Sequence, residues 1–259
     1  MDERTLRVLE FSKVTERLAS YAVTPRGREL AEMLQPSTDP DNVVRRLALT
    51  TEAGILRADG EVPLRGTSDL RDMLGRARIE SVLQPVDLLA LRGSLVAIRQ
   101  VKHFIMARGD RVPLLAEEAA SMSTFEVLEE ALRRTIADDG AILDSASADL
   151  GRLRRAQQAA HVRIRQSLED LLRSPAARML QDPLIATRGD RYVVPVRQEF
   201  KGQFPGVLHD QSSSGATVFM EPLAIVPLGN QLRELELAER DEIQRILREL
   251  TGQVSTLSD

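Results

Sequence analysis

Hydrophobic positions in this chain recur three or four residues apart almost throughout, and one stretch, residues 182–222, departs from that period. A three-to-four spacing indicates helices with one buried stripe, whereas short aliphatic and aromatic runs between turn residues indicate strands. The stretch contains four such runs, at residues 184–187, 192–196, 206–208 and 216–220. The pattern therefore predicts a small antiparallel sheet among helices.

Two residues inside this stretch make specific demands on the sheet. Gly189, in the sequence RGD, can take the positive φ that a tight hairpin connection needs. Pro195 has no N–H to donate to a ladder of hydrogen bonds, so proline in a strand favours an edge position. We expect a hairpin turn at residues 188–190 and an edge strand at residues 192–196.

Two long helices are predicted to flank the stretch. From Ser147 a hydrophobic seam continues to about Leu180, with one interruption at Pro175, and a second seam runs from Leu228 to Leu250. Some 30 residues at about 1.5 Å each make a rod of roughly 45 Å. The simplest arrangement is an antiparallel pair of helices with the sheet at its far end.

Before residue 147 the predicted helices are shorter. Thr24-Pro25 and Asp39-Pro40 each place a capping side chain before a proline. Such a pair favours a helix start, because proline fixes φ and its missing N–H needs no partner in the first turn. The predicted fold class is mainly α: an irregular helical core and two long antiparallel helices that carry a small antiparallel β unit.

Composition narrows the class of protein. Only 3% of the residues are aromatic, half of these lie in residues 182–222, and cysteine is absent. Aliphatic cores favour helices packed on helices, and a chain without cysteine has no disulfide and no thiolate metal site. The N-terminus lacks an apolar signal region, and no run reaches the roughly 18 apolar residues of a membrane span. We expect a soluble cytoplasmic protein with no membrane partner.

Charge is unevenly distributed along the chain. The net charge is −4, yet residues 152–201 hold eleven basic and five acidic side chains, a net charge of +6. A basic region on an acidic body is typical of a surface that binds nucleic-acid phosphates, and a solvated face without a ligand is the alternative. Serine hydroxyls in a turn are a second kind of group that contacts the phosphate backbone of a nucleic acid. The predicted nucleic-acid contacts are Arg155, Arg163, Arg188, Arg191, Arg197, Lys201, His209, Ser212, Ser213 and Ser214.

Catalytic signatures are weak. No lysine follows a glycine, as a P-loop requires, and the three histidines lie far apart in sequence, which argues against a zinc site. A triad from His209, Asp210 and the serines is disfavoured because adjacent strand residues point to opposite faces. Asp190, Glu199 and Lys201 have the spacing of some metal-dependent nucleases, but a strand of roughly 25 Å separates the two carboxylates. We assign no catalytic or metal-binding residue and keep a nuclease as the weaker alternative.

The sheet-forming stretch resembles the clamp segment of the MutS family, in its type-two branch, which lacks the mismatch-reading domain. The branch pattern R-x-x-R-Y-V-x-P-V is met at residues 188–196, and P-G-x-x-H-D-x-S-x-S-G-A-T-x-F-x-E-P is met at residues 205–222. Residues 5–11, 24–30 and 139–147 match T-L-x-V-L-E-F, T-P-x-G-R-E-L and D-G-x-x-x-D-S-A-S. The resemblance covers the whole chain in order.

This resemblance implies a helical core at residues 1–146, an ascending lever helix at 147–182, a β-containing clamp at 183–222 and a truncated descending lever helix at 223–259. Full-length relatives continue into a P-loop ATPase, which binds ATP and Mg and dimerises, and usually into a C-terminal endonuclease domain. The chain ends before both. By resemblance it is a non-catalytic N-terminal segment with no cofactor of its own.

The partner implied by the resemblance is DNA. Members of the branch bind branched or recombination-intermediate DNA between the clamps of a homodimer, suppress homologous recombination and are linked to DNA repair. Some members instead engage collided ribosomes, with contacts to rRNA, and help to split them. Both roles need a basic clamp that faces a phosphate backbone, so the sequence does not separate them.

Overall fold

Residues 3–257 are described in the computed structural model, and α-helix dominates them. The helices are α1 (Glu3–Val8), α2 (Phe11–Ser20), α3 (Pro25–Glu32), α4 (Pro40–Asp59), α5 (Arg71–Arg78), α6 (Pro85–Met106), α7 (Pro113–Ser121), α8 (Glu126–Thr135), α9 (Ala148–Arg173) and α10 (Val226–Leu257). Within residues 3–257 none of them combines the length and the apolarity needed to cross a membrane. The chain divides into two compact units, one of residues up to Leu143 together with those from Leu247 onward, the other of residues 144–246. The mainly-α prediction is confirmed.

In the first unit, capping side chains set two helix starts as the sequence predicts. Thr24 Oγ1 accepts a hydrogen bond from Gly27 N at 3.0 Å ahead of α3. Asp39 Oδ1 accepts one from Asp41 N at 3.1 Å ahead of α4. Both helices begin with proline. The caps satisfy backbone N–H groups that have no partner inside the helix.

A buried carboxylate joins α4 to α7 in the same unit. Glu52 is 8% exposed, and its two oxygens accept hydrogen bonds from Leu114 N at 3.2 Å and Leu115 N at 2.8 Å. These N–H groups belong to the first turn of α7, where the helix dipole favours a negative charge. The apolar cluster beneath this contact consists of Leu56, Ile105, Val112 and Ala119.

The second unit contains a four-stranded antiparallel sheet, close to the predicted one. The strands are β1 (Ala186–Arg188), β2 (Arg191–Arg197), β3 (Gly206–Gln211) and β4 (Thr217–Pro222). Their order across the sheet is β1-β2-β4-β3, with Val196 of β2 opposite Val218 of β4. Gly189 in the β1–β2 turn has a φ of 57°, the positive value that the turn was predicted to need.

The prediction that the strand holding Pro195 lies at an edge is wrong, because β2 has β1 on one side and β4 on the other. Proline is tolerated there for a local reason. Pairing with β1 extends only as far as Val193, and the carbonyl oxygen of Pro195 accepts a hydrogen bond from Gln181 N at 2.8 Å. Since the N–H and C=O of a strand residue point to the same side, the missing N–H lies beyond the end of β1.

Helices α9 and α10 run antiparallel where both belong to the second unit. Ser147 Oγ, just before α9, donates to Glu242 at 2.6 Å, and Gln157 Nε2 donates to the carbonyl oxygen of Leu235 at 3.2 Å. Residue numbers therefore rise along α9 as they fall along α10. The predicted antiparallel pair is confirmed over this part.

The first long helix is shorter than predicted. It ends at Arg173 and not near Leu180, because Pro175 cannot supply the N–H that a continuing helix needs. Residues Pro175–Met179 form a short 3-10 helix, which Ser174 caps by accepting a hydrogen bond from Ala176 N at 3.2 Å. A single proline thus overrides the hydrophobic periodicity that continues past it.

One face of the sheet packs against the sides of both long helices. The buried cluster consists of Ala160, Ile164, Leu168, Leu180, Val194, Val196, Phe204, Val218, Met220, Ile225 and Leu232. Its helical members in α9 are four residues apart, and its strand members alternate, which places each set on one face. The sheet therefore packs along the end of the helix pair where α9 ends and α10 begins.

Glu242 of α10 stabilises the beginning of α9. Its carboxylate accepts a hydrogen bond from Ser147 Oγ at 2.6 Å and two from the Arg245 guanidinium at 2.8 Å each. Ser147 Oγ in turn accepts from Leu150 N at 2.9 Å and so caps α9. Arg245, and after it Ser147, lower the pKa of Glu242 to about 2.

We expect Glu242→Gln to remove an acid-sensitive contribution to stability. An unfolded glutamate has a pKa of about 4.3, so the folded value lies below it. The ionised carboxylate therefore stabilises the fold fully above the unfolded pKa of about 4.3. This contribution is lost as the pH falls toward the folded pKa of about 2. Urea unfolding at pH 7 should show a loss of about 1 kcal/mol. Glu234→Gln, exposed on the same helix, is the control, and a loss unchanged from pH 7 to pH 3 would contradict the assignment.

Candidate nucleic-acid interface

Arg188, at the end of β1, is held against the sheet by an acid and by an aromatic ring, and its Nη1 also donates to the carbonyl oxygen of Thr187 at 3.0 Å. Its Nε donates to Asp210 Oδ2 at 2.9 Å, and its guanidinium carbon lies 3.9 Å from the centre of the Phe219 ring. A carboxylate and an aromatic face together fix the position of a guanidinium group. This predicted nucleic-acid contact is therefore already balanced by an acid within the sheet.

Arg191 and His209 both contact one buried carboxylate. Glu221 of β4 is 2% exposed; its Oε1 accepts a hydrogen bond from Arg191 Nη1 at 3.4 Å, and its Oε2 lies 2.8 Å from His209 Nε2. A buried charge is costly unless it is paired, so the sheet itself needs these partners. Sequence reasoning missed Glu221. The available signal was an acid inside the otherwise apolar strand TVFMEP.

A β-bulge at His209 brings two adjacent side chains to partners on the same face. The pairing register shifts by one residue between Leu208 and Asp210, which leaves His209 as the extra residue. His209 reaches Glu221 while Asp210 reaches Arg188. The prediction that His209 and Asp210 point to opposite faces of the strand is therefore wrong. A catalytic triad gains no support, because the histidine bonds a glutamate and not a serine.

Arg197 and Lys201 lie at the other end of β2, and both are exposed. Arg197 is in register with Thr217 of β4, and the next residue, Gln198, donates its N–H to the carbonyl oxygen of Ala216 at 3.0 Å. Lys201 follows one turn of 3-10 helix later. In the part of the chain that the structure describes, neither cation has a carboxylate within ion-pair distance. This end of the sheet therefore carries two exposed cations that are not ion-paired, with the exposed Glu199 between them in sequence.

The turn between β3 and β4 adjoins that end of β2. Ser212 shapes it: its Oγ accepts a hydrogen bond from Thr217 N at 3.1 Å, and its carbonyl oxygen accepts one from Gly215 N at 2.8 Å. Gly215 has a φ of 74°, which glycine adopts without strain. Ser213 and Ser214 are exposed. Two of the three predicted serines thus present hydroxyls to solvent, and the third holds the turn.

Arg155 and Arg163 are exposed on α9, but they do not lie on one line along the helix. At about 100° per residue, eight residues turn the direction by about 80°. Arg163 Nε donates to the carbonyl oxygen of Ala159 at 3.3 Å. Neither arginine is paired with an acid among the described residues. They are two separate exposed cations on the helix.

The three residues of the nuclease alternative do not converge. Asp190 lies in the β1–β2 turn, 3.2 Å from Arg233, whereas Glu199 follows the far end of β2, beyond seven strand residues. Among residues 3–257 no group of three or more His, Asp or Glu side chains is arranged to hold a metal ion. Two carboxylates at opposite ends of a strand do not form the metal pair of a nuclease.

Comparison with known proteins finds relatives along the whole chain. The chain is 45% identical over 260 residues to the protein named Endonuclease MutS2 of Geobacillus thermodenitrificans. The alignment covers 98% of this chain and 33% of that relative. Proteins of the same name from Halalkalibacterium halodurans and Symbiobacterium thermophilum are 43% and 42% identical and cover 98% and 100% of this chain. The chain spans about one third of the length of these relatives. No protein-family model matches it. Identity above 40% from one end of the chain to the other shows that it belongs to the MutS2 family.

Proposed function

We propose that the second unit binds the phosphate backbone of a nucleic acid through one end of its sheet, formed by Arg197, Lys201 and the serine turn at residues 212–216. The contrast between the two ends of β2 carries this proposal. At one end Glu221 balances Arg191, and at the other Arg197 and Lys201 are unpaired among the described residues. Unpaired cations attract phosphates, because binding releases the counterions condensed on the backbone. Exposed serine hydroxyls add neutral donors to phosphate oxygens.

DNA is the target that we propose. The relatives are named endonucleases, and an endonuclease acts on a nucleic acid. In this proposal the sheet is a clamp, α9 and α10 are its lever helices, and the module engages branched DNA and so suppresses homologous recombination. The segment binds and does not cleave. Use of ATP and Mg, the homodimer and the endonuclease activity belong, in the same proposal, to the part of the relatives that lies outside this chain.

Replacing Arg197 and Lys201 together with alanine should weaken DNA binding roughly 10- to 100-fold at 0.1 M salt. Each lost phosphate contact lowers the slope of log K against log salt by about 0.9, so the double variant should lose about 2 from the slope. Fluorescence anisotropy of a labelled four-way junction and of a linear duplex, from 50 to 300 mM salt, would measure both quantities. The effect should be the same for unrelated DNA sequences, because phosphate contacts carry no sequence information.

The matched control removes two cations elsewhere. Lys13 and Arg133 are exposed and each is paired with a glutamate three residues away, so their replacement changes the net charge equally without touching the sheet. An unchanged salt slope in the Arg197 and Lys201 variant would refute the proposal. A second outcome would point to the ribosome as the target instead of DNA. In that case the Arg197 and Lys201 variant would have the same salt slope on DNA as the parent chain but would bind purified ribosomes more weakly.

A further inference from the structure

A cavity of about 290 Å³ lies between α9 and β2 in the second unit, away from Arg197 and Lys201. It is lined by Gln158, His161, Val162 and Arg165 of the helix and by Tyr192 of the strand. The helical members are separated by three and four residues, which places them on one face of α9. No acidic side chain lines this cavity.

The flank of α9 that lines the cavity differs from the one that the sequence singled out. At about 100° per residue, Arg165 points about 200° away from Arg163, so the two arginines lie on opposite flanks of the helix. Arg165 and Gln158 are exposed, and among the described residues Arg165 has no ion-pair partner. A free guanidinium group therefore stands at the rim of a recess that contains no competing carboxylate.

Tyr192 bonds to His161, an exposed residue of α9 that lines the recess. The tyrosine hydroxyl lies 2.9 Å from His161 Nδ1, and the two rings meet edge to face with centres 6.2 Å apart. Tyr192 itself packs against the buried cluster between sheet and helices, so it is a fixed support. When the hydroxyl donates to Nδ1, the remaining hydrogen of a neutral imidazole lies on Nε2, which can then donate to a ligand.

We infer that this recess is a second phosphate-binding subsite, specific for a phosphodiester of a nucleic-acid strand. Its ligand-facing groups are donors of three kinds, a guanidinium, an imidazole and an amide, and no anion opposes them. A phosphate offers acceptor oxygens in several directions, which suits donors that come from separate turns of a helix. The inference goes beyond the proposed sheet-end site, since it needs neither Arg197 nor Lys201.

Histidine NMR tests this subsite directly, because the chain has only three histidines. His161 lines the recess, His209 is bonded to Glu221, and His103 lies on α6 in the other unit. Addition of a short oligothymidylate to the 259-residue chain should shift the His161 ring resonances saturably while the His103 resonances stay in place. Arg165→Gln should weaken the fitted affinity at this site about tenfold or more. Arg173→Gln, an exposed arginine on the same helix, should not change it.

Four further outcomes decide the inference. A His161 shift caused by inorganic phosphate but not by the oligonucleotide would overturn the phosphodiester assignment, and so would equal effects of Arg165→Gln and Arg173→Gln. The Arg197 and Lys201 double variant separates the two sites: a His161 shift that survives in it supports an independent subsite, even if the proposed function fails. A His161 resonance that does not respond to the oligonucleotide in the parent chain would refute the subsite alone.

Discussion

Replacing Arg191 with methionine is expected to lower the free energy of unfolding by about 3 kcal/mol, the lower end of the cost of removing one partner from a buried ion pair. Glu221 is 2% exposed, and without the guanidinium group its carboxylate keeps only His209 among the residues that the structure describes. Gly229 of α10 packs against the pair. A Cβ on Gly229 would come within 3.0 Å of both Arg191 Nη1 and Glu221 Oε1. The buried carboxylate then keeps the His209 imidazole but loses its permanently charged partner.

Urea unfolding at pH 7, followed by circular dichroism, measures this loss. The double variant Arg191→Met with Glu221→Gln removes both charges and should recover a large part of the stability, because most of the cost comes from the unpaired carboxylate. Arg173→Met, which removes an exposed arginine, should change stability by no more than about 0.5 kcal/mol. If Arg191→Met alone were as stable as the parent, the ion pair would not be holding the sheet.

Leu168→Ala should cost about 3 kcal/mol, within the range measured for large-to-small substitutions in cores. Leu168 is fully buried in the cluster that joins α9 to the sheet and to α10. Truncation removes three carbon atoms and leaves a cavity that the flanking helix and sheet can fill only in part. The expected readout is a lower urea midpoint with an unchanged slope.

Leu237→Ala is the matched control for this prediction. Leu237 lies on α10 in the same unit and is 46% exposed, so the same chemical change should cost less than about 1 kcal/mol. Similar losses in the two variants would mean that the cluster between sheet and helices is not the core of this unit.

Basic residues of the candidate site were predictable from the sequence, but their partners were not. The sequence shows an excess of arginine between residues 152 and 201. The structure shows that Arg188 and Arg191 are paired with Asp210 and Glu221, which lie 22 and 30 residues further along the chain. Such pairs depend on strand order and on the bulge at His209, and no short-range pattern encodes either. Charge composition alone therefore cannot tell a balanced arginine from a free one.

Features that depend on residues two to four positions apart follow from the sequence alone. Helices α3 and α4 begin with Pro25 and Pro40 behind their capping residues, and Gly189 forms the turn that it was predicted to form. Capping and turn chemistry act over these short distances, so the signal lies in neighbouring residues.

Three features depend on the folded chain and not on local sequence: the position of β2 in the sheet, the pairing of cations with acids, and the recess without acids between α9 and β2. Pro195 is typical of an edge strand but lies in the inner strand β2, where it is tolerated because the pairing of β2 with β1 ends at Val193. Each of these outcomes is set by contacts between segments that are distant in sequence, and their free energies depend on register and packing, not on the identity of adjacent residues.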